Sequence, residues 1–83
     1  MKKLEIDFKS YPTKQKLFSF LLKRITGLYG SNYDALIDAL SFYDTSLTIY
    51  LINLNNYEEP TDLLEILEII HKNNTFISYN IKA

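Results

Sequence analysis

The sequence contains no cysteine and no tryptophan, and only two glycines, two prolines and one histidine. Without cysteine there is no disulfide and no thiolate metal site, an absence that suits a reducing cytoplasm. Two glycines are too few for a glycine-rich phosphate loop. The lone histidine, His71, falls near the end of a helical pattern, where such a side chain is more often satisfied or solvated than catalytic. The sequence offers no plausible Ser or Cys nucleophile with a general base beside it. No apolar run is long enough to span a bilayer. Met1, Lys2 and Lys3 are followed by Leu4, Glu5, Ile6 and Asp7, so acids interrupt what would be the apolar region of a signal peptide. We therefore expect no export signal, no membrane association and a cytoplasmic location.

Eighty-three residues, 47% hydrophobic and 23% charged, are enough for one globular domain spanning residues 1–83. The net charge of -1 conceals a segregation. Residues 1–24 hold seven bases (Lys2, Lys3, Lys9, Lys14, Lys16, Lys23, Arg24) and two acids. Residues 25–70 hold no Lys or Arg and eight acids: Asp34, Asp38, Asp44, Glu58, Glu59, Asp62, Glu65 and Glu68. Lys72 and Lys82 follow. A base-free stretch of that length predicts an acidic surface.

Leu4, Ile6 and Phe8 alternate with charged residues, which predicts a strand with one buried face. Ser10, Tyr11 and Pro12 end it, and Thr13 can cap a helix over residues 14–25. There Leu17, Leu21 and Ile25 recur every four residues, Phe18 and Leu22 widen the stripe, and Phe20 lies at its margin. Lys23 and Arg24 would occupy the last helical turn and Gly27 would terminate it. The basic residues of this helix are mostly dispersed and no aromatics interleave with them, so no nucleic-acid partner is expected.

Residues 29–40 concentrate the functional signal. Gly30 predicts a turn, Ser31 or Asn32 a cap, and Asp34 suits the positive end of a new helix. At 100° per residue, Leu36, Ala39, Leu40 and Tyr43 cluster on one side with Ala35 at the edge. Asp34, Asp38 and Ser41 fall on the other, flanked by Ile37 and Phe42. No Lys or Arg lies three or four residues from either aspartate. Two uncompensated carboxylates among apolar side chains, with Tyr33, Ile37 and Phe42 as anchors, suggest the centre of an interface. Two ordinary surface aspartates would show the same spacing. The pair could also form half of a magnesium site or an acid–base pair, but both need further ligands or a cleft. No enzyme activity, metal, cofactor or small-molecule substrate is expected.

Residues 47–54 are almost continuously apolar and β-branched, as in a central strand. Tyr57, Glu58 and Glu59 would add a further helical turn. Pro60 marks the next helix, with Thr61 and Asp62 as cap and dipole partners and Leu63, Leu64, Ile66, Leu67 and Ile70 as its apolar face. Asn73 and Asn74 would close it, in a left-handed cap. Residues 75–81 then read as an edge strand. The order β, α, α, β, α, β predicts parallel pairing through right-handed crossovers, in an α/β two-layer fold with a three-stranded parallel sheet.

Tyr29, Gly30, Asn32, Asp34, Ala35, Leu36, Asp38 and Leu40 match the run Tyr-Gly-x-Asn-x-Asp-Ala-Leu-x-Asp-x-Leu. In this the chain resembles the barstar family of ribonuclease inhibitors, and the order of elements is similar over the whole chain. The resemblance implies a bacterial immunity protein or antitoxin. Such a protein binds a basic toxin nuclease one to one and blocks its active site with carboxylates where RNA phosphates would sit. By that resemblance Asp38 meets the catalytic Arg and His cluster and Asp34 a second Arg. Tyr29 and Asn32 belong to the binding loop, and Tyr43 contacts the enzyme from the helix end. The family's namesake complex is a standing example of interface hot spots and charge steering, and magnitudes of that kind belong to it.

Three positions depart from the pattern. Leu28 replaces a tyrosine that stacks on the catalytic histidine, and Ile37 replaces a tryptophan. The acid of the last helix aligns with Ile69, one position from Glu68. These differences imply a toxin other than the namesake's. The alternative from a different class is a non-inhibitory interaction module that keeps the fold and docks on another basic protein.

Overall fold

The computed structural model describes residues 2–82. Its elements are β1 (Lys2–Asp7), α1 (Lys14–Leu21), α2 (Tyr33–Ser41), β2 (Leu47–Ile52), a 3-10 turn (Leu54–Asn56), α3 (Pro60–Asn73) and β3 (Ile77–Lys82). The sheet order is β1-β2-β3, with both pairings parallel. β2 is the central strand and pairs on both edges; Leu47, Ile49 and Leu51 are buried on its core face, and Thr48 on the other face is buried as well. No helix among the described residues is long and apolar enough to cross a membrane.

Ile6, Ile49 and Leu51 line the interior together with Leu17 and Leu21 of α1, Leu36 and Leu40 of α2, and Leu63 and Leu67 of α3. All three helices therefore meet the same sheet face, as a two-layer α/β arrangement requires. The residues of the other register face are Lys3, Glu5 and Asp7 on β1, paired with Thr48, Tyr50 and Ile52 on β2. There Thr48 and Ser78 hydroxyls lie 3.2 Å apart and the Lys82 ammonium sits over the Tyr50 ring.

Thr13 caps α1 as expected, its hydroxyl accepting from the Lys16 N–H at 3.2 Å. A second cap comes from far away in sequence: Glu58 Oε2 accepts from the Lys14 N–H at 2.6 Å. The helix ends one turn earlier than the periodicity predicts. The N–H groups of Lys23 and Arg24 turn back to the carbonyls of Phe20 and Leu21, a tighter spacing than an α-helix allows. Lys23 and Arg24 thus follow the helix rather than sitting in its last turn. Ile25 still reaches the core, whereas Leu22 is 44% exposed. Gly27 takes φ +89°, a conformation that strains any residue with a Cβ.

Three other expectations change. β2 stops at Ile52 because Asn53 adopts a left-handed conformation and starts the 3-10 turn, which precedes residues 57–59. α3 is entered through Glu59, with no side-chain cap and Pro60 in the first turn, so Thr61 is a helical residue and not the cap. Asn74 ends α3 with extended backbone, not left-handed. Its side chain bridges elements instead. Nδ2 donates to the carbonyls of Leu40 at 2.9 Å and Tyr43 at 2.8 Å, and Oδ1 accepts from the Phe76 N–H at 3.0 Å. One amide thereby closes the C-terminus of α2 and the start of β3 together.

Asn74→Ala would remove the donor shared by both carbonyls, leaving that of Leu40 to the backbone N–H groups of Phe42 and Tyr43 and that of Tyr43 without its Asn74 partner. It should lower unfolding free energy by about 2 kcal/mol, within the usual cost of unsatisfied groups. Asn73→Ala, at an exposed neighbour, should change it by less than about 0.5 kcal/mol. Denaturant melts of both variants check the difference.

Candidate functional site

The outer face of α2 is built by what its inner face buries. Leu36 and Leu40 are 2% and 0% exposed, and Ala35 and Ala39 pack beside them. This fixes the roll of the helix and turns Asp34 and Asp38 outward, about one turn apart. Asn32 supplies the cap, its Oδ1 accepting from the Ala35 N–H at 2.8 Å. Gly30 precedes it at φ +126°. Neither aspartate makes an ion pair or hydrogen bond among the described residues, and the last turn of α2 contains no base.

The ten residues singled out by sequence separate into three groups. Tyr29, Asp34, Asp38 and Phe42 are exposed, Tyr29 and Phe42 by 89% and 86%. Ile37, Ser41 and Tyr43 are half-buried at the margin. Ser41 Oγ is buried and has no hydrogen-bond partner among the described residues. Asn32 is exposed, with its side-chain oxygen committed to the cap. Leu28 is buried, and Tyr33 is half-buried against the core. Leu28 is 4% exposed and belongs to the core, so as it stands it presents no contact surface. Its apolar side chain finds a better environment under the loop than in water.

Tyr33 is drawn inward by its hydroxyl, which donates to Glu59 Oε1 at 2.9 Å and shares a 2.8 Å hydrogen bond with the Tyr57 hydroxyl. Its ring lies 6.0 Å from that of Phe18, with the Lys14 ammonium 5.0 Å from its centroid. Burial, then the hydrogen bonds to Tyr57 and Glu59, raise its pKa far above the ordinary tyrosine value. Burial also raises that of Tyr57. Tyr33 therefore anchors the N-terminus of α2 from within.

The acidic middle of the chain is not one uniform surface. Glu58 caps α1, Glu59 pairs with Lys14 at 3.6 Å as well as with Tyr33, and Glu68 accepts from the Tyr79 hydroxyl at 2.6 Å. Glu68 lines a hollow with His71, Ser78 and Tyr79 that includes no α2 residue. His71 Nδ1 is 2.7 Å from the Ile77 carbonyl oxygen. Among the described residues no three His, Asp or Glu side chains gather as a metal site would require.

Folding adds members that sequence reasoning left out. Asp38, Phe42 and Tyr43 line a groove of about 530 Å³ with Asp44 and Thr45 beyond the helix, Thr26 and Gly27 before it, and Lys2 of β1. Asp44 was legible as an acid but not as a neighbour of Asp38. The arrangement offers a cation two carboxylates, the negative end of a helix and an exposed aromatic ring. No family model matches the chain, and no curated protein matches it.

The Tyr33 network has a pH consequence. The folded state holds this phenol protonated above the pH at which the unfolded chain releases it. The stabilisation is thus complete below the ordinary value of 10.0 and is lost as pH rises beyond it. Tyr33→Phe should cost about 1 kcal/mol at neutral pH and should flatten the alkaline loss of stability. Melts between neutral and strongly alkaline pH measure both effects.

Proposed function

We propose that this protein is a barstar-like inhibitor that acts in the cytoplasm as an immunity protein against a basic toxin nuclease, most simply a ribonuclease, in a 1:1 complex. The observation that carries the reading is the pair Asp34 and Asp38. Both are exposed and free of ion pairs among the described residues, and both stand on a capped, core-anchored helix within the Tyr29 to Leu40 run. A nuclease that cleaves RNA must present Lys, Arg and His to bind phosphate and to stabilise charge in the transition state. Carboxylates already held in place meet those cations with little ordering entropy to lose. The uncompensated charge also speeds encounter, more strongly at low salt. In this reading Asp38 and Asp34 supply the charge, and Tyr29, Ile37 and Phe42 supply apolar contact. Ser41 and Tyr43 form the rim, and Asn32 and Tyr33 hold the helix in position.

Buried Leu28 favours a second reading. Where the family's pattern places a stacking tyrosine, this loop presents only Tyr29 as an exposed aromatic. A module that docks on a basic protein without plugging its active site would have the same surface. The two readings part in one assay, because such a module binds without abolishing cleavage.

The test is titration of the purified protein into RNA-cleavage assays of candidate basic toxin nucleases. Stoichiometric loss of cleavage supports inhibition, and unaffected cleavage at saturation sinks it. Asp38→Ala should weaken binding by at least about 30-fold, or about 2 kcal/mol, the threshold of an interface hot spot, and should reduce the salt dependence of association. Glu5→Ala, on the opposite sheet face, should stay within about twofold. Equal and small effects of both changes would remove Asp38 from the site.

A further inference from the structure

Five of the seven cations of the first 24 residues gather beside the acidic groove. A second groove, lined by Lys2, Lys3, Phe20, Arg24 and Tyr43 among others, shares Lys2 and Tyr43 with the groove of Asp38 and Asp44. Phe20 and Arg24 continue into a third, of about 640 Å³, which adds Lys16 and Lys23. None of these five cations forms an ion pair among the described residues, and Glu5 is the one acid lining either basic groove. A negative patch and a positive patch therefore adjoin across a common wall. Phe42 is exposed on the acidic side.

We propose that these patches are the two halves of one self-association surface, and that the occupant is a second copy of this chain. A two-fold rotation lays the Asp38–Asp44 groove of each copy on the Arg24 side of the other. Because the patches are neighbours, one rotation makes both contacts at once, the self-complementarity that an isologous dimer requires. Complementary charge sets the register, and the exposed Phe42 rings bring apolar area to a contact that charge alone would leave weak. A nucleic acid fits the basic side less well. Phe20 is already stacked by Tyr11, at 4.3 Å between centroids, and by the Arg24 guanidinium at 4.0 Å. Its ring therefore has little free face for a base, and the adjoining aspartates repel a continuing phosphate chain. The dimer covers Asp38, so self-association would compete with any partner of α2. The inference does not rest on the nuclease reading, because it is measured on this protein alone.

Sedimentation equilibrium at low salt should show a monomer–dimer equilibrium. It should weaken at least about tenfold as ionic strength rises from about 0.01 M to about 1 M, where the screening length falls from roughly 30 Å to roughly 3 Å. Arg24→Glu and Asp38→Lys should each abolish the dimer while circular dichroism stays native, since both side chains are exposed. An equimolar mixture of the two variants should associate again, because both reciprocal contacts then regain opposite charges. A wild type that remains monomeric at low salt overturns the proposal, as does a dimer indifferent to either change. Equally, a single-stranded oligonucleotide bound by monomeric wild type and lost in Arg24→Glu would give the basic grooves to nucleic acid instead.

Discussion

The structure depends on covering one face of β2. Ile49 and Leu51 are 2% and 0% exposed, and the buried residues described form one core cluster. Burial of apolar area, at roughly 25 cal/mol per Å², is the dominant favourable contribution in so small a domain. Parallel pairing on both edges of β2 forces each connection to cross over, and each crossover brings leucines to the same face. The position of α2 is a consequence. It is part of the β1–β2 crossover, and once Leu36 and Leu40 are seated its outward residues have no freedom left to choose.

That constraint turns charge into geometry. Of the eight acids in the base-free segment, Glu58, Glu59 and Glu68 are bound to a helix start, a lysine–tyrosine network and an edge-strand tyrosine. Those carboxylates hold the scaffold. Asp34, Asp38 and Asp44 have no such partner among the described residues and keep their charge available. The early cations are distributed in a similar way: Lys14 supports Glu59 and Tyr33, while Lys2, Lys16, Lys23 and Arg24 line open grooves. The protein is nearly neutral in sum and polar in arrangement, and it is the arrangement that bears on recognition.

Much of this was legible before folding. The alternation of Leu4, Ile6 and Phe8, the run of residues 47–52, the leucine spacing of the helices and the outward pair Asp34 and Asp38 are local patterns, and the structure reproduces them. The errors share a cause. α1 stops before Ile25 because two backbone N–H groups tighten the chain, which side-chain periodicity does not report. Asn74 was read as a backbone cap because asparagine tolerates left-handed geometry, yet its amide is used on carbonyls more than thirty residues away. Leu28, beside the motif, and Tyr33, within it, were read as partner contacts; Leu28 is buried in the core, and the Tyr33 hydroxyl is held by Tyr57 and Glu59.

By itself, the sequence determined which elements form, which side of each is apolar, and that α2 carries two uncompensated carboxylates. Those properties depend on neighbours one to four positions apart, where spacing and stereochemistry suffice. Only the tertiary structure decided which acids are occupied and which are free. It also decided that the Tyr33 hydroxyl is held by Tyr57 and Glu59, and that Asp44 and Lys2 join Asp38 at one groove beside a basic one. Those outcomes depend on groups far apart in the chain, brought together when the helices bury their leucines against β2. No local pattern records which distant partner a side chain will meet.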